Sequence, residues 1–213
     1  MTTLLAQIAE ATQKGDQLRI KDLVQQSLEE NFTPEAILNQ GLIAGMDVVG
    51  AKFQSGELFI PHMLIAARAM HVALDILKPR LVESGVEPIG KAVIGTVKND
   101  HHDIGKNLVA IMLEGKGIEV IDLGIDVPAD KVVAAVGPDV QLVGLSALLS
   151  TTLPFMAETV TALDEAGLRN RIKVMVGGGP VTQAFADQIG SDGYAPDAAG
   201  AANLALRLIE RKA

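Results

Sequence analysis

From residue 92 onwards, the chain alternates between short apolar runs and longer amphipathic segments, and this alternation restricts the possible folds more than any other feature. The apolar runs predict strands at 92–97, 119–122, 141–146, 173–177 and 193–194. The amphipathic segments predict helices at 105–117, 129–136, 152–166, 181–189 and 197–211. Strands joined by helical crossovers pair in parallel, so we expect a Rossmann-type α/β domain with a five-stranded parallel sheet in flavodoxin-like order.

The first 82 residues have helical periodicity instead. Gly15 is a stop signal for a first helix, and Asp16 can cap a second helix that carries Leu18 among its apolar residues. A third helix is predicted to begin at Thr33-Pro34, and a fourth at Pro61. Four helices with short connections predict an N-terminal four-helix bundle.

The segment Glu83–Gly90, with the sequence ESGVEPIG, separates the two patterns. Its glycine, serine and proline residues interrupt regular structure, which is typical of a linker. We therefore expect a helical domain at 1–86, a linker at 87–90 and an α/β domain at 91–213.

The composition excludes several classes of protein. With 26 acidic and 18 basic residues, the net charge is −8, which argues against a nucleic-acid or anionic-membrane partner. The absence of cysteine excludes disulfides, thiolate metal sites and thiol nucleophiles. No signal peptide or membrane span is visible in the sequence, so we expect a cytoplasmic protein.

A polar turn with two histidines and two aspartates, residues 100–103, follows the first predicted strand. Asp100 lies two residues before His102, so its carboxylate can reach an imidazole nitrogen and fix the tautomer of the ring. A histidine held in this way can ligate a metal through its other nitrogen. His102 is therefore a candidate metal ligand, with Asp100 as its hydrogen-bond partner.

Two further loops, one rich in hydroxyl groups and one rich in glycine, are expected beside this turn. In flavodoxin-like order the first and third strands are neighbours, and the crevice at their carboxyl ends is the expected ligand site. The loop Ser146–Thr152 after the third strand offers hydroxyl groups. The run Gly177-Gly178-Gly179 after the fourth lets a ligand approach the backbone closely. We expect the three loops to line one crevice.

Other interpretations of these loops remain open at the level of sequence. Asp100 can simply cap the next helix, Thr152 can do the same, and the glycine run can be a flexible turn. The run Asp100-His101-His102 also matches a signature of two-metal phosphoesterases, which need further Asp and His ligands after other strands. A dinucleotide-binding fingerprint is excluded, because no Gly-x-Gly turn follows the first strand.

Taken together, Asp100-x-His102-x-x-Gly105, Ser146-x-Leu148 and Gly177-Gly178 resemble the pattern of the cobalamin-binding domain. That domain occurs in methionine synthase and in the corrinoid proteins of methyltransferase systems for methylamines, methanol, glycine betaine and aryl ethers. The upstream segment Met46–Pro61 resembles the helical cap domain that precedes it. The resemblance covers nearly the whole chain and implies a cap domain joined to a cobalamin domain.

The resemblance also implies roles for individual residues. His102 would be the lower axial ligand to cobalt and would displace the cofactor's own base. Asp100 would form a hydrogen bond with the nitrogen of His102 that does not bind cobalt. Thr152 would supply the hydroxyl that completes this His–Asp–hydroxyl relay. The slot for the detached nucleotide tail and its surroundings would involve His101, Asp103, Ile104, Gly105, Ser146, Leu148, Ser150, Gly177, Gly178, Gly179, Tyr194 and Ala195. Phe53 and Ile60 would cover the upper face of the corrin, with the linker as a hinge.

The function that the resemblance implies is that of a corrinoid methyl carrier, a subunit that does not act alone. Its cobalamin or related corrinoid would accept a methyl group on cobalt(I) from a substrate:corrinoid methyltransferase. It would pass the group on as methyl-cobalt(III) to a second methyltransferase with a thiol or folate acceptor, and a reactivation protein would reduce oxidised cobalt. The alternatives are a cobalamin-dependent sensor, a radical mutase subunit and the phosphoesterase.

Overall fold

In the computed structural model, residues 3–83 and 88–210 are described, and they form two compact units. One unit comprises the chain up to Pro88 together with residues 115–117, and the other comprises Ile89–Glu114 and the chain from Ile118. The predicted linker falls partly on residues 84–87, which lie outside the described residues. The strand that follows it begins at Gly90, two residues before the predicted start.

The helical unit contains four consecutive helical runs, as the sequence predicts. They are α1 (Leu4–Lys14), α2 (Gln17–Glu29), a continuous run of α3 (Pro34–Ala36), a π-helical segment (Ile37–Ile43) and α4 (Ala44–Gln54), and α5 (Ile60–Glu83). Side-chain oxygens of Thr3, Asp16 and Thr33 cap the first three runs by accepting backbone N–H groups. Leu18 lies in α2 as predicted, but its side chain is 81% exposed, unlike the buried Leu23 and Val24 of the same helix.

Two glycines explain how α1 packs against the third helical run. A Cβ at Gly41 would lie 2.8 Å from Ile8 Cγ2, and one at Gly45 would lie 2.8 Å from the carbonyl oxygen of Ala9. Because the two glycines are four residues apart, they leave a groove along one helix face that admits the neighbouring backbone. The core of this unit is built from aliphatic and methionine side chains such as Leu42, which is fully buried.

One helix among the described residues, Ile60–Leu81, is long and apolar enough to cross a membrane by length and composition, with a mean hydropathy of 1.3. Within the helical unit it packs against α1, α2 and α4. The residues that it buries are Met63, Ala66, Ala67, Ala69, Met70, Ala73, Leu77 and Leu81. Burial in this core accounts for part of its apolar composition, since 39% of the apolar window is buried.

The second unit is built on the predicted five-stranded parallel sheet, whose order is β2-β1-β3-β4-β5. The strands are β1 (Gly90–Thr96), β2 (Ile118–Asp122), β3 (Leu142–Ser146), β4 (Lys173–Gly177) and β5 (Gly193–Ala195). This is the flavodoxin-like order, and the chain leaves the neighbouring strands β1 and β3 in opposite directions.

The connecting helices are α6 (Ile104–Glu114), α7 (Ala129–Ala135), α8 (Leu153–Glu165), α9 (Gln183–Gln188) and α10 (Ala198–Glu210). One face of the sheet presents Val93, Val143 and Val174 to a closed apolar core, which α7 and α8 complete. Since side chains alternate along a strand, Ile94, Gly144 and Met175 lie on the other face. That second face carries the candidate site.

Candidate functional site

Hydrogen bonds to the sheet hold the loop between β1 and α6 in a fixed conformation. The Thr96 hydroxyl donates to the carbonyl oxygen of His102 at 2.9 Å, and the Val97 N–H donates to the carbonyl oxygen of Ser146 at 3.0 Å. The Asp100 N–H closes a turn onto the carbonyl oxygen of Val97. The loop therefore presents its side chains from a rigid strand end.

The Asp100 side chain is fully buried and accepts five hydrogen bonds. Its Oδ1 lies 2.8 Å from Nδ1 of the His102 ring and 3.1 Å from the backbone nitrogen of the same residue. Its Oδ2 accepts the N–H groups of Leu148 and Leu149 and, at 2.8 Å, the Thr152 hydroxyl. A single carboxylate thus joins the loops that follow β1 and β3.

These bonds fix the charge of Asp100 and the tautomer of His102. Burial alone raises the pKa of the Asp100 carboxyl, but hydrogen bonds from His102, Leu148 and Thr152 outweigh it and hold the pKa well below its ordinary value of 3.8. An ionised carboxylate only accepts, so the Nδ1 atom must carry a proton. In the neutral ring, Nε2 then keeps its lone pair, and the side chain is 48% exposed.

Thr152 does not cap the helix α8, which was one of the two interpretations that the sequence left open for it. It occupies the N-cap position, but its side chain makes no capping bond. The hydroxyl lies 2.8 Å from the Asp100 carboxylate and also 2.8 Å from the carbonyl oxygen of Leu149. One hydroxyl proton therefore has two acceptors at equal distance. Asp100 does not cap α6 either, because its carboxylate is occupied by the five bonds above.

One cavity of about 480 Å³ opens beside this loop, and all of its walls belong to the α/β unit. Of the residues predicted from the sequence, it is lined by His101, His102, Asp103, Ile104, Gly105, Ser146, Leu148, Gly177, Gly178, Gly179 and Ala195. The three loops therefore line one crevice at the carboxyl ends of the strands, as the strand order predicts.

Gly178 and Gly105 both lie at the crevice, but a side chain is absent at each position for a different physical reason. Gly178 has φ = 122°, and a Cβ there would overlap the carbonyl oxygen of Ala147, so this glycine lets the loops after β3 and β4 touch. Gly105, in the first turn of α6, is the opposite case. A Cβ at Gly105 would meet no atom within 4 Å, so the space above it is left for a ligand.

Other predicted residues lie away from the cavity wall. Ser150 is exposed in a turn outside the cavity, and Thr152 is buried beneath it. Tyr194 packs against the closed core on the other face of the sheet, because alternation within the short strand β5 turns it away from Ala195. Phe53 and Ile60 belong to the helical unit.

Several lining residues were missed by the sequence analysis. Lys106, in the first turn of α6, is 2% exposed, and its Nζ pairs with Asp122 and lies 2.6 Å from Oδ1 of Asn107. The other missed residues are mainly small or apolar and include Ile94, Val109, Gly144, Met175, Val176, Ala198 and Ala201. The alanine-rich start of α10 was the available signal, since small residues on a helix mark a close neighbour or a cavity.

The site fits a corrinoid and does not fit a two-metal centre. Within residues 3–83 and 88–210, no three His, Asp or Glu side chains converge as a metal-binding group, so the ligands that a phosphoesterase would need around His101 are not brought together. What the site does provide is one histidine held by a buried carboxylate, above a mostly apolar cavity. A cofactor that brings its own macrocyclic ligands needs only one further ligand from the protein.

Comparison with known proteins identifies the family. A family model described as a B12 binding domain matches residues 90–203, and a second model with the same description matches residues 4–78. The chain belongs to the B12-binding corrinoid proteins. Its cofactor is accordingly a corrinoid.

Individual relatives agree with this assignment. The corrinoid protein is 42% identical over 207 residues to dimethylamine corrinoid protein 3 of Methanosarcina acetivorans, with 97% of each chain covered. A cobalamin-binding protein from Desulfitobacterium hafniense has 36% identity and a TM-score of 0.77, with 97% of this chain and 98% of that chain covered. One chain of the methanol:cobalamin methyltransferase complex of Methanosarcina barkeri has 33% identity and a TM-score of 0.87, with coverage of 97% and 80%.

These similarities assign the chain to the corrinoid proteins that serve methyltransferase systems, as the sequence motifs indicate. Its function is methyl transfer through the corrinoid, and the alternative of a cobalamin-dependent sensor is not favoured.

Proposed function

We propose that the corrinoid protein carries a methyl group between two methyltransferases and that His102 is the lower axial ligand of its cobalt. When bound, the cofactor supplies the nucleophilic metal that takes up and gives away the methyl group. The observation that carries the proposal is the bond between Asp100 and Nδ1 of His102, which leaves Nε2 as the ligating nitrogen.

The relay beneath His102 would adjust to the strength of that ligation. Asp100 accepts the hydrogen bond from Nδ1 of His102. The ring is a better electron donor when this carboxylate is ionised than when it is protonated. If a proton arrives at Oδ2, the Thr152 hydroxyl can turn to the carbonyl oxygen of Leu149 without any movement of the backbone. Proton uptake at the buried carboxylate and loosening of His102 would thus be coupled.

The cavity walls would hold the rest of the corrinoid. Gly105 leaves room for a large ligand against the backbone of α6. Gly177–Gly179 line the same cavity, and the Ser146 hydroxyl offers a polar contact. The exposed apolar side chains of Ile104 and Leu148, at 66% and 49% exposure, would lie against the macrocycle. Phe53 and Ile60, in the helical unit, remain predicted contacts of its upper face.

The partners follow from the same role. The similarity to a chain of the methanol:cobalamin methyltransferase complex supports a substrate-specific methyltransferase as one partner. We propose a second methyltransferase with a thiol or folate acceptor as the other, and a reactivation protein, because a chain without cysteine has no thiol of its own to reduce oxidised cobalt. All of these would be encountered in the cytoplasm.

The test is a visible absorption spectrum of the protein after loading with hydroxocobalamin and desalting, compared with His102→Ala and His101→Ala. We expect one corrinoid per chain and a spectrum of histidine-ligated cobalt for the wild type and His101→Ala. His102→Ala should fold and lose that spectrum. Identical spectra for the two variants would disprove the assignment of His102, and a colourless wild type would disprove corrinoid binding.

A further inference from the structure

A buried lysine lies in the wall of the cavity. Lys106, in the first turn of α6, is 2% exposed, and a lysine is rarely buried to this extent unless its charge is paired. Its Nζ atom pairs with Oδ2 of Asp122, at the end of β2, and lies 2.6 Å from Oδ1 of Asn107. Two of the three protons on the ammonium group are therefore used within the protein.

Asp122 continues this network into the loop after β2. Its Oδ1 atom accepts the Gly124 N–H at 2.9 Å, and the Gly124 carbonyl oxygen accepts the Thr96 N–H at 3.0 Å. The Thr96 hydroxyl in turn donates to the carbonyl oxygen of His102. Lys106 is therefore connected to the backbone of His102 through the loop after β2.

The network also reaches His102 from its other side. The Asn107 side-chain amide donates to Oδ2 of Asp103 at 3.1 Å, and the Asn107 backbone N–H donates to the carbonyl oxygen of Asp103 at 2.8 Å. Asp103 directly follows His102 in the chain. The hydrogen bonds that start at Lys106 thus form a closed ring through the peptide bond between His102 and Asp103.

We propose that Lys106 is a positioning residue for His102, which fixes the place of the ligating nitrogen without touching it. This inference rests on the proposed function, because it concerns the geometry of the axial ligand. Asp100 holds the ring of His102, whereas Lys106 holds the backbone from which the ring projects. Both are needed, since the distance from a ligand to its metal tolerates only about 0.2 Å of variation.

A positioning role explains why a lysine occupies this buried place. A buried ion pair adds little net stability compared with apolar side chains of similar volume. Asp122 is 36% exposed, so water can replace the lysine as its partner. Lys106→Met fills nearly the same space without a charge, and we expect its melting temperature to stay within about 3 °C of that of the wild type.

Lys91 offers a matched control at the end of the sheet away from the cavity. It is the second residue of β1, and its Nζ atom lies 2.9 Å from a carboxylate oxygen of Glu119 and 2.9 Å from one of Asp139. Its side chain is 21% exposed. Lys91→Met therefore removes a paired lysine that joins β1 to β2, as Lys106 joins α6 to β2, without reaching the His102 loop.

The experiment compares the wild type with Lys106→Met, Asp122→Ala, the double variant and Lys91→Met. Each protein is loaded with cobalamin and reduced to cobalt(II), and electron paramagnetic resonance detects a ligating imidazole by the splitting of the cobalt lines. His102→Ala is the unligated reference. Loss of an outer contact of a metal ligand typically weakens ligation by about tenfold or more, so the ratio of histidine-ligated to unligated cobalt should fall about tenfold in Lys106→Met.

The other variants test the route of the effect. Asp122→Ala should also lower the ratio, and the double variant should lose no more than the more affected single variant, because the two residues act through one contact. Lys91→Met should match the wild type. In the apoprotein, hydrogen exchange of the His102 N–H, which donates to Asp100, should be faster in Lys106→Met and unchanged in Lys91→Met.

An unchanged ratio in Lys106→Met would overturn the inference, and so would an equal fall in Lys91→Met or losses that add in the double variant. A Lys106→Met protein that loses ligation together with its stability would overturn it as well, since the lysine would then be merely structural. The proposed function fails in a different way. A wild type whose spectrum equals that of His102→Ala would overturn the assignment of the axial ligand itself.

Discussion

Asn99 and Asp126 both have left-handed backbone conformations, and the Asp126 carboxylate accepts the Asn99 N–H at 2.7 Å. The Asp126 N–H in turn donates to the carbonyl oxygen of Asp100 at 2.9 Å. The loop after β2 therefore clamps the loop that carries His102. Asn and Asp are the non-glycine residues that adopt this conformation most readily, and the hydrogen bonds around them hold the φ values of 63° and 51°.

Asp126→Ala should release this clamp. The Asn99 N–H loses its acceptor, and we expect the free energy of unfolding to fall by about 1–2 kcal/mol. Denaturant unfolding of the apoprotein measures the loss, and the spectrum of the loaded protein should show less histidine-ligated cobalt. Asp126→Asn keeps an acceptor oxygen and tolerates the left-handed conformation, so it should lose less. Equal losses in the two variants would argue against the clamp.

Asp100→Asn should destabilise the apoprotein at neutral pH. An amide offers one oxygen where the carboxylate accepts five hydrogen bonds, so its NH₂ group must face donors. We expect a loss on the order of 2 kcal/mol in the free energy of unfolding. An equal stability of the two proteins at pH 7 would contradict the observed bonding of Asp100.

The same pair of proteins should show a defined pH dependence. The pKa of Asp100 is lower in the folded than in the unfolded chain, so the unfolded chain takes up the proton first as pH falls. The stabilisation by the carboxylate is complete above about pH 4 and declines below it. The stability difference between wild type and Asp100→Asn should therefore narrow on acidification, and denaturant curves at pH 7 and pH 3 measure it.

Thr152→Val and Thr152→Ser separate the hydroxyl from the methyl group. Thr152 is 2% exposed, so valine leaves the Asp100 Oδ2 atom with only its two backbone donors, and we expect a loss of about 1–2 kcal/mol. Serine keeps the hydroxyl and should cost under about 1 kcal/mol for the missing methyl group. Only the valine variant should alter the spectrum of bound corrinoid. A changed spectrum in the serine variant would show that the methyl group matters more.

Gly105→Ala should lower the affinity for the corrinoid without lowering the stability of the protein. The glycine lies in a helix without a positive φ and its Cβ would meet no protein atom, so alanine should leave stability unchanged or raise it by up to about 1 kcal/mol. The same methyl group would occupy space that the ligand needs. We expect lower corrinoid affinity by equilibrium dialysis together with an unchanged or higher melting temperature. Unchanged affinity would remove Gly105 from the site.

The sequence predicts the sheet and the crevice because both depend on topology. Five apolar runs with helical crossovers restrict the strand order, and that order brings Asp100, Ser146 and Gly177 to one edge of the sheet. The individual contacts depend on details that a pattern does not contain. A strand as short as β5 has too few residues for alternation to assign the face of Tyr194.

Partner choice over long distances was the other limit. A threonine before a helix normally caps it, and the residue pattern alone does not show that the Thr152 hydroxyl instead meets a carboxylate 52 residues away, a position that the family resemblance implied. The lining residue Gly144 was missed for a similar reason. A glycine within an apolar strand marks close approach, but the sequence does not say whether Gly144 approaches a ligand or another strand.

Asp100 receives its hydrogen bonds from His102, two residues away, and from Leu148, Leu149 and Thr152, which lie 48 to 52 residues further along the chain. During synthesis, the His102 loop therefore lacks most of its anchoring donors until β3 and the turn after it have joined β1. A positioned axial ligand is a property of the completed domain, and cofactor loading becomes a late event that only a correctly folded chain can undergo.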